Sequence, residues 1–162
     1  MTEYSKAEEA KKVIYDLIEN YRTDLKGINI EPVFRNSPIL KKNKELWAKI
    51  YRLSGLFRFL LRVDFIIEIY KAAWDQFLDD GRDALIAHEL KHIDVSYDNK
   101  GKRILSLIPH DFEEFIEIVE RYGFWSTDLV FMKDKLFDKK RGGNEEEIKT
   151  KKVLKFNRKE KE

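Results

Sequence analysis

The sequence predicts an α+β fold in which a small antiparallel or mixed sheet packs against an N-terminal helix and a second helix near the middle of the chain. Three observations carry this prediction. Apolar residues recur every three or four positions in residues 5–25, β-branched and aromatic residues crowd residues 46–70, and residues 82–95 contain good helix formers and no breaker. The first and third patterns are typical of helices, and the second is typical of strands.

The N-terminal helix is predicted over residues 5–25, with Ser5 and Glu8 as a capping box at its start and Gly27 at its end. The following segment INIEPVF is predicted to form a short strand that leads into a polar loop. Residues 46–70 are predicted to form two or three antiparallel strands, with a break at Ser54 and Gly55, although parts of this run also suit a helix.

The chain of 162 residues is long enough for one domain of ordinary size. We expect that domain to span residues 1–137, with a short helix over residues 71–78 and another over about residues 111–122. From Asp138 onward the chain has ten Lys or Arg against six Asp or Glu and few bulky apolar residues. Residues 138–162 are therefore predicted to be a basic, disordered tail.

Composition excludes several classes of function. The chain has no cysteine, so a thiolate metal cluster, a disulfide framework and a cysteine nucleophile are all excluded, and a metal must be held by nitrogen and oxygen. The N-terminal residues lack the apolar core of a signal peptide, and charges interrupt every apolar stretch. We therefore expect a cytoplasmic protein without a membrane partner.

The chemistry of the chain is predicted by residues 88–92, which read HELKH and match the motif His-Glu-x-x-His. On a helix, His88 and His92 lie one turn apart on the same side and can bind one zinc ion. Glu89 then lies within reach of a water at the metal and can act as its general base. The alternative is that both histidines are ordinary helix residues and that Glu89 is a solvated charge.

A catalytic zinc ion needs a third protein ligand, and we expect His110, the remaining histidine of the chain, to supply it. The acids that follow it in HDFEEF are alternative ligands, or residues that hold a ligand in place. The candidates are Asp111, Glu113 and Glu114, and Asp94 is a further candidate for orienting an imidazole. Asp111 and Glu114 also fit a purely structural capping box.

A donor for the oxyanion of the substrate is less well defined by sequence. Tyr97, Arg103 and Tyr122 lie close enough in the sequence to the motif to be considered.

The segment DFIIEIYKAAWDQFLDDGRDALIAHELKHI, followed after a loop by PHDFEEFIEIVERYG, resembles the putative phage metallopeptidase family over roughly residues 46–123. The shared features are Trp74 before the helix, HELKH on it, a His-Asp pair at the start of a later helix, and Gly123 at its end. The resemblance implies a minimal zincin-like fold, zinc as the metal and a phage or prophage origin. It also carries over His88, Glu89 and His92, together with the pair of His110 and Asp111.

The sequence thus favours a zinc-dependent hydrolase of peptide bonds whose partner is a peptide or protein substrate. The alternative is a non-catalytic regulatory or DNA-associated module in which zinc stabilises the fold and the basic tail contacts phosphate. We do not expect the tail to bind nucleic acid, because charged runs are often only solvated. The oligomeric state and the specificity of cleavage are not predicted.

Overall fold

The computed structural model describes residues 1–41, 44–110, 116–124 and 126–137. The chain divides into two compact units, Met1–Pro109 and the part that begins at His110. The predicted single domain over residues 1–137 stays a prediction, and the basic tail lies outside the described residues.

The first unit contains the sheet and the motif helix. Its strands are β1 (Tyr4–Lys6), β2 (Ile30–Arg35), β3 (Ile39–Lys41), β4 (Lys44–Leu46), β5 (Ala48–Arg52), β6 (Phe65–Tyr70), β7 (Ile93–Tyr97) and β8 (Arg103–Leu107). Its helices are α1 (Glu8–Asn20), α2 (Gly55–Leu61), α3 (Lys71–Gln76) and α4 (Asp79–Lys91), with a 3₁₀ turn at Thr23–Leu25.

The main sheet has the strand order β1-β2-β6-β5. β2 and β6 run parallel, whereas the β1–β2 and β5–β6 pairs are antiparallel, so the sheet is mixed. Alternate residues of β2, β5 and β6 point to one face and are buried together with apolar residues of α1 and α4. The predicted α+β fold, with its sheet packed on the N-terminal helix and the HExxH helix, is confirmed, and it is compatible with a small zincin-like fold.

Residues 46–70 contain both strands and a helix, as the sequence allowed. β5 and β6 form an antiparallel pair as predicted, but the residues between them form helix α2. Leucine and arginine are good helix formers, so the sequence GLFRFLL permits a helix wherever no partner strand is available. Arg62 ends α2 in the left-handed conformation, with φ of 54°.

One expectation was wrong in detail. Ser5 belongs to β1, and α1 begins at Glu8 without a side-chain cap, so the predicted capping box does not form.

Residues 96–103 contain the turn of a hairpin formed by β7 and β8. The carboxylate of Asp98 closes this hairpin by accepting the N–H groups of Lys100 and Lys102, both at 2.8 Å.

The second unit contains α5 (Ile116–Tyr122) and α6 (Thr127–Phe137). α5 ends at Gly123, whose φ of 69° and N–H bond to the carbonyl of Val119 form the predicted left-handed C-terminal cap. Residues 111–115, where the sequence placed the start of this helix, lie outside the described residues.

Candidate metal centre

Helix α4 carries the motif, and its sequence DDGRDALIAHELK accounts for its position. Asp79 and Asp80 lie in the first turn, where negative charge favours the helix dipole. Ile86 and Leu90 are fully buried in the core of the first unit, whereas His88 is exposed. The apolar side of α4 therefore anchors the helix and leaves the imidazole of His88 accessible.

The two histidines of the motif lie side by side at the C-terminal end of α4. Their ring centroids are 5.1 Å apart, and the rings are nearly perpendicular, at 83°. His92 is the residue directly after the last helical residue, so the helical spacing of four still applies to it. Helix geometry alone therefore brings these two imidazoles together.

His92 is oriented by Ile108, the residue that directly follows β8. Its Nδ1 lies 2.7 Å from the carbonyl oxygen of Ile108, and the N–H of Ile108 donates to the carbonyl of His92 at 2.8 Å. With Nδ1 occupied by a carbonyl oxygen, Nε2 is the nitrogen available to a metal. A backbone carbonyl thus has the orienting role that the sequence suggested for a carboxylate.

The same pairing brings the third histidine to the motif. His110 follows Ile108 after one proline, whose ring restricts the backbone between them. One side-chain nitrogen from each of His88, His92 and His110 lies within 4.8 Å of the others. Nitrogens bound tetrahedrally at about 2.0–2.1 Å from zinc are about 3.4 Å apart, so binding one ion would require these nitrogens to approach one another by at most about 1.4 Å.

Glu89 directly follows His88 in the chain and is buried, with 5 % of its surface exposed. Burial raises the pKa of its carboxyl group, while the charge of His92 and a hydrogen bond with the backbone of Ile50 oppose that increase. The carboxylate therefore sits in a poorly hydrated position within electrostatic range of His92.

Strand β5 supplies the backbone group that contacts Glu89. The N–H of Tyr70 donates to the carbonyl of Trp47 at 2.8 Å, and the N–H of Leu53 donates to the carbonyl of Asp64 at 3.0 Å. In an antiparallel pair only every second residue bonds to the partner strand, so the odd-numbered residues from 47 to 53 bond to β6. Ile50 is an even-numbered residue, and its N–H therefore points away from β6. β5 is the last strand in the order of the sheet, so Glu89 lies at the open edge.

Arg22 holds the end of the motif helix, and sequence reasoning missed it. Its guanidinium donates to the carbonyls of Leu90 and Ile93, the latter at 2.9 Å, on either side of His92. Asp24 orients the guanidinium through two hydrogen bonds of 2.9 and 2.8 Å, and these bonds lower the pKa of the Asp24 carboxyl. No local pattern links Arg22 to α4, because the two are far apart in the sequence.

The other predicted site residues are not joined to the triad by the described part of the chain. Asp111, Glu113 and Glu114 lie outside the described residues. Tyr97 and Arg103 pair at the far end of the β7–β8 hairpin, four residues along each strand from the pair of Ile93 and Leu107, which corresponds to about 13 Å. Asp94 accepts a hydrogen bond from Ser106 at 3.3 Å. Tyr122 belongs to α5 in the second unit.

The fold and the three histidines define a zincin-like domain with a potential metal site. A family model described as putative phage metallopeptidase matches residues 2–136, and the chain belongs to that family. Membership confirms the resemblance that the sequence indicated and supports a metallopeptidase of phage type.

No curated protein and no solved structure matches the chain. Within the described ranges, no helix combines the length and the apolar character that crossing a bilayer requires.

Proposed function

We propose that the protein is a zinc-dependent peptidase in which His88, His92 and His110 hold the metal and Glu89 is the general base. The observation that carries this proposal is the convergence of one nitrogen from each histidine within 4.8 Å, at the end of a helix that also carries the buried carboxylate of Glu89. Membership of a metallopeptidase family supports the same class of reaction.

The donor set fits zinc. Three neutral imidazoles are a common ligand set for catalytic zinc, and they leave the fourth position open. The absence of cysteine from the chain excludes the thiolate ligands that many structural zinc sites use. When bound, zinc would polarise the scissile carbonyl and lower the pKa of a water molecule.

Glu89 has the position and the environment for proton transfer. Its carboxylate is next in sequence to His88 and lies on the buried side of α4, where water does not fully solvate it. We propose that it accepts a proton from the attacking water and delivers that proton to the leaving amine. The bond with the backbone of Ile50 fixes the carboxylate at the edge of the sheet.

Strand β5 is proposed to align the substrate. The outward backbone groups of Ala48 and Arg52 lie along the edge of the sheet, on either side of the Ile50 N–H that bonds to Glu89. An extended peptide that adds to this edge would place its main chain next to the catalytic carboxylate, with main-chain hydrogen bonds supplying much of the affinity. Such binding favours unfolded or extended segments over compact proteins.

The first test is the zinc content of purified protein by elemental analysis for the wild type, His110→Ala and Lys91→Ala. Lys91 is an exposed residue of α4 and serves as the control for a substitution near the site. We expect about one zinc per chain in the wild type and in Lys91→Ala, and much less in His110→Ala.

Absence of zinc from the wild type after reconstitution would contradict the proposed function. Full zinc content in His110→Ala would instead indicate that the third ligand is one of the acids that follow His110 in the sequence. Hydrolysis of an unfolded protein such as reduced casein, measured in the presence and absence of a zinc chelator, then tests turnover separately from binding.

A further inference from the structure

Helix α2 is the most exposed apolar element of the first unit. Every residue of this helix is exposed, although five of its seven residues are leucine or phenylalanine. The exposed fractions are 65 % for Leu56, 56 % for Phe57, 79 % for Phe59, 62 % for Leu60 and 56 % for Leu61. Contiguous exposure of this kind marks a surface that contacts an apolar partner.

The orientation of α2 is inverted relative to that of an ordinary surface helix. At about 100° per residue, its five large apolar side chains cover an arc of roughly 200°, and Gly55 and Arg58 occupy the remaining side. Arg58 forms an ion pair with the buried carboxylate of Asp64 at the start of β6, and the carbonyl of Arg62 accepts a hydrogen bond from Asn29. The polar side therefore holds the helix to the protein, and the apolar side faces outward.

The sequence around α2 is predominantly basic. Residues 48–63 contain four basic side chains and no acid, and the nearest acid in the sequence after them, Asp64, is paired with Arg58. The basic residues are Lys49, Arg52, Arg58 and Arg62. A partner for this surface must therefore combine an apolar interior with negative charge at its rim.

An anionic lipid surface has both properties. Phenylalanine and leucine side chains of a short helix enter the boundary between headgroups and acyl chains, and arginines at its flanks bind the phosphates. A second copy of the chain fits less well, because a two-fold contact between α2 helices would bring two basic segments together.

We propose that α2 docks the protein on anionic membranes, with its apolar arc in the lipid and Arg52 and Arg62 at the headgroups. We expected no membrane partner from the sequence, because charges interrupt every apolar stretch, but lying on a bilayer and crossing it are different properties. This proposal concerns α2 alone and does not depend on the proposed peptidase activity.

The test is co-sedimentation of the full chain with vesicles of phosphatidylcholine that contain or lack phosphatidylglycerol. We expect the wild type to bind the anionic vesicles, with a partition coefficient at least fivefold higher than for neutral vesicles. For Phe59→Ser we expect the partition coefficient on anionic vesicles to fall about tenfold below that of the wild type. The matched control is Leu40→Ser in β3, because Leu40 has a similar exposure of 73 %. We expect that variant to bind like the wild type.

The charge component is tested by the double variant Arg52→Gln and Arg62→Gln, with Lys41→Gln and Lys44→Gln as the control pair. Only the arginine pair should weaken binding to anionic vesicles.

Three outcomes would overturn the proposal. The first is no binding to anionic vesicles at low salt. The second is wild-type binding by Phe59→Ser, which would assign attachment to the basic C-terminal segment that all variants share. The third is a dimer in sedimentation equilibrium that Phe59→Ser dissociates, which would make a second copy the partner of α2.

Discussion

Two buried glutamates in the first unit differ in the hydrogen bonds and ion pairs that their carboxylates form. Glu68 on β6 and Glu89 on α4 are both 5 % exposed. Glu68 accepts hydrogen bonds from the hydroxyls of Tyr4 and Tyr51 and from the guanidinium of Arg35, at 2.8–2.9 Å. Glu89 has a backbone hydrogen bond with Ile50, and burial raises the pKa of its carboxyl.

This difference separates a structural carboxylate from a reactive one. A buried charge that is fully hydrogen-bonded and paired fixes the packing of its neighbours. A buried carboxylate with fewer partners is less stable as an anion and is a better proton acceptor, which is typical of active sites. The network around Glu68 joins all four strands of the main sheet, whereas Glu89 lies on the motif helix and bonds to the edge strand β5.

The largest expected effect is on turnover in Glu89→Gln. Because glutamine cannot accept the proton from water, we expect hydrolysis of an unfolded protein substrate to fall by about 10²–10⁴-fold. Zinc content should stay at about one per chain, and the melting temperature should not decrease, because the substitution removes a poorly solvated charge. Turnover close to that of the wild type would contradict the assignment of Glu89 as the base.

The matched substitution Glu68→Gln should reverse this pattern. Loss of the charge leaves the half-buried guanidinium of Arg35 without its ion-pair partner, and we expect the free energy of unfolding to fall by about 2 kcal/mol in urea titrations. Zinc content and turnover should be retained below the unfolding transition. Glu31→Gln is the control, because Glu31 forms a more exposed ion pair with Lys11 and should change stability by less than about 1 kcal/mol.

Arg22→Ala should affect the metal site through the backbone. Without the guanidinium, the carbonyls of Leu90 and Ile93 lose their donor and the turn that carries His92 becomes less ordered. We expect zinc affinity, measured by competition with a chelating dye, to fall about tenfold. Arg103→Ala removes a hydrogen bond to Lys26 at the surface and should leave the affinity unchanged. Equal affinities in the two variants would show that Arg22 acts only on stability.

The smallest effect is on the alkaline titration of Tyr51. Burial and the hydrogen bond to Glu68 raise the pKa of its hydroxyl from about 10 to about 12. Because the folded-state pKa is raised, the stability that this group contributes is present below pH 10 and is lost as the pH rises towards 12. Tyrosinate absorbance should show a late phase that decreases in Tyr51→Phe and moves to lower pH in Glu68→Gln, in which the hydrogen bond that also raises the pKa of Tyr4 is lost. Titration of all tyrosines in one ordinary phase would contradict the network.

The sequence determined what depends on local spacing. The interval of four between His88 and His92 places both imidazoles on one side of a helix, and the alternation of apolar residues in β2 defines a buried face. These patterns were sufficient to predict the α+β fold, the motif helix and the family. The role of His110 as the third ligand stays a prediction, which its position beside the motif histidines supports.

Tertiary structure decided what depends on contacts between distant residues. The pairing of His92 with Ile108, the bonds from Arg22 to the end of α4 and the hydrogen bond between Glu89 and Ile50 each join residues from separate elements. Whether the run GLFRFLL formed a strand or a helix was likewise decided by the absence of a partner strand for it within the described sheet. Helical spacing is fixed by the backbone of one segment, whereas strand pairing and hydrogen-bond partners depend on which segments the fold brings together.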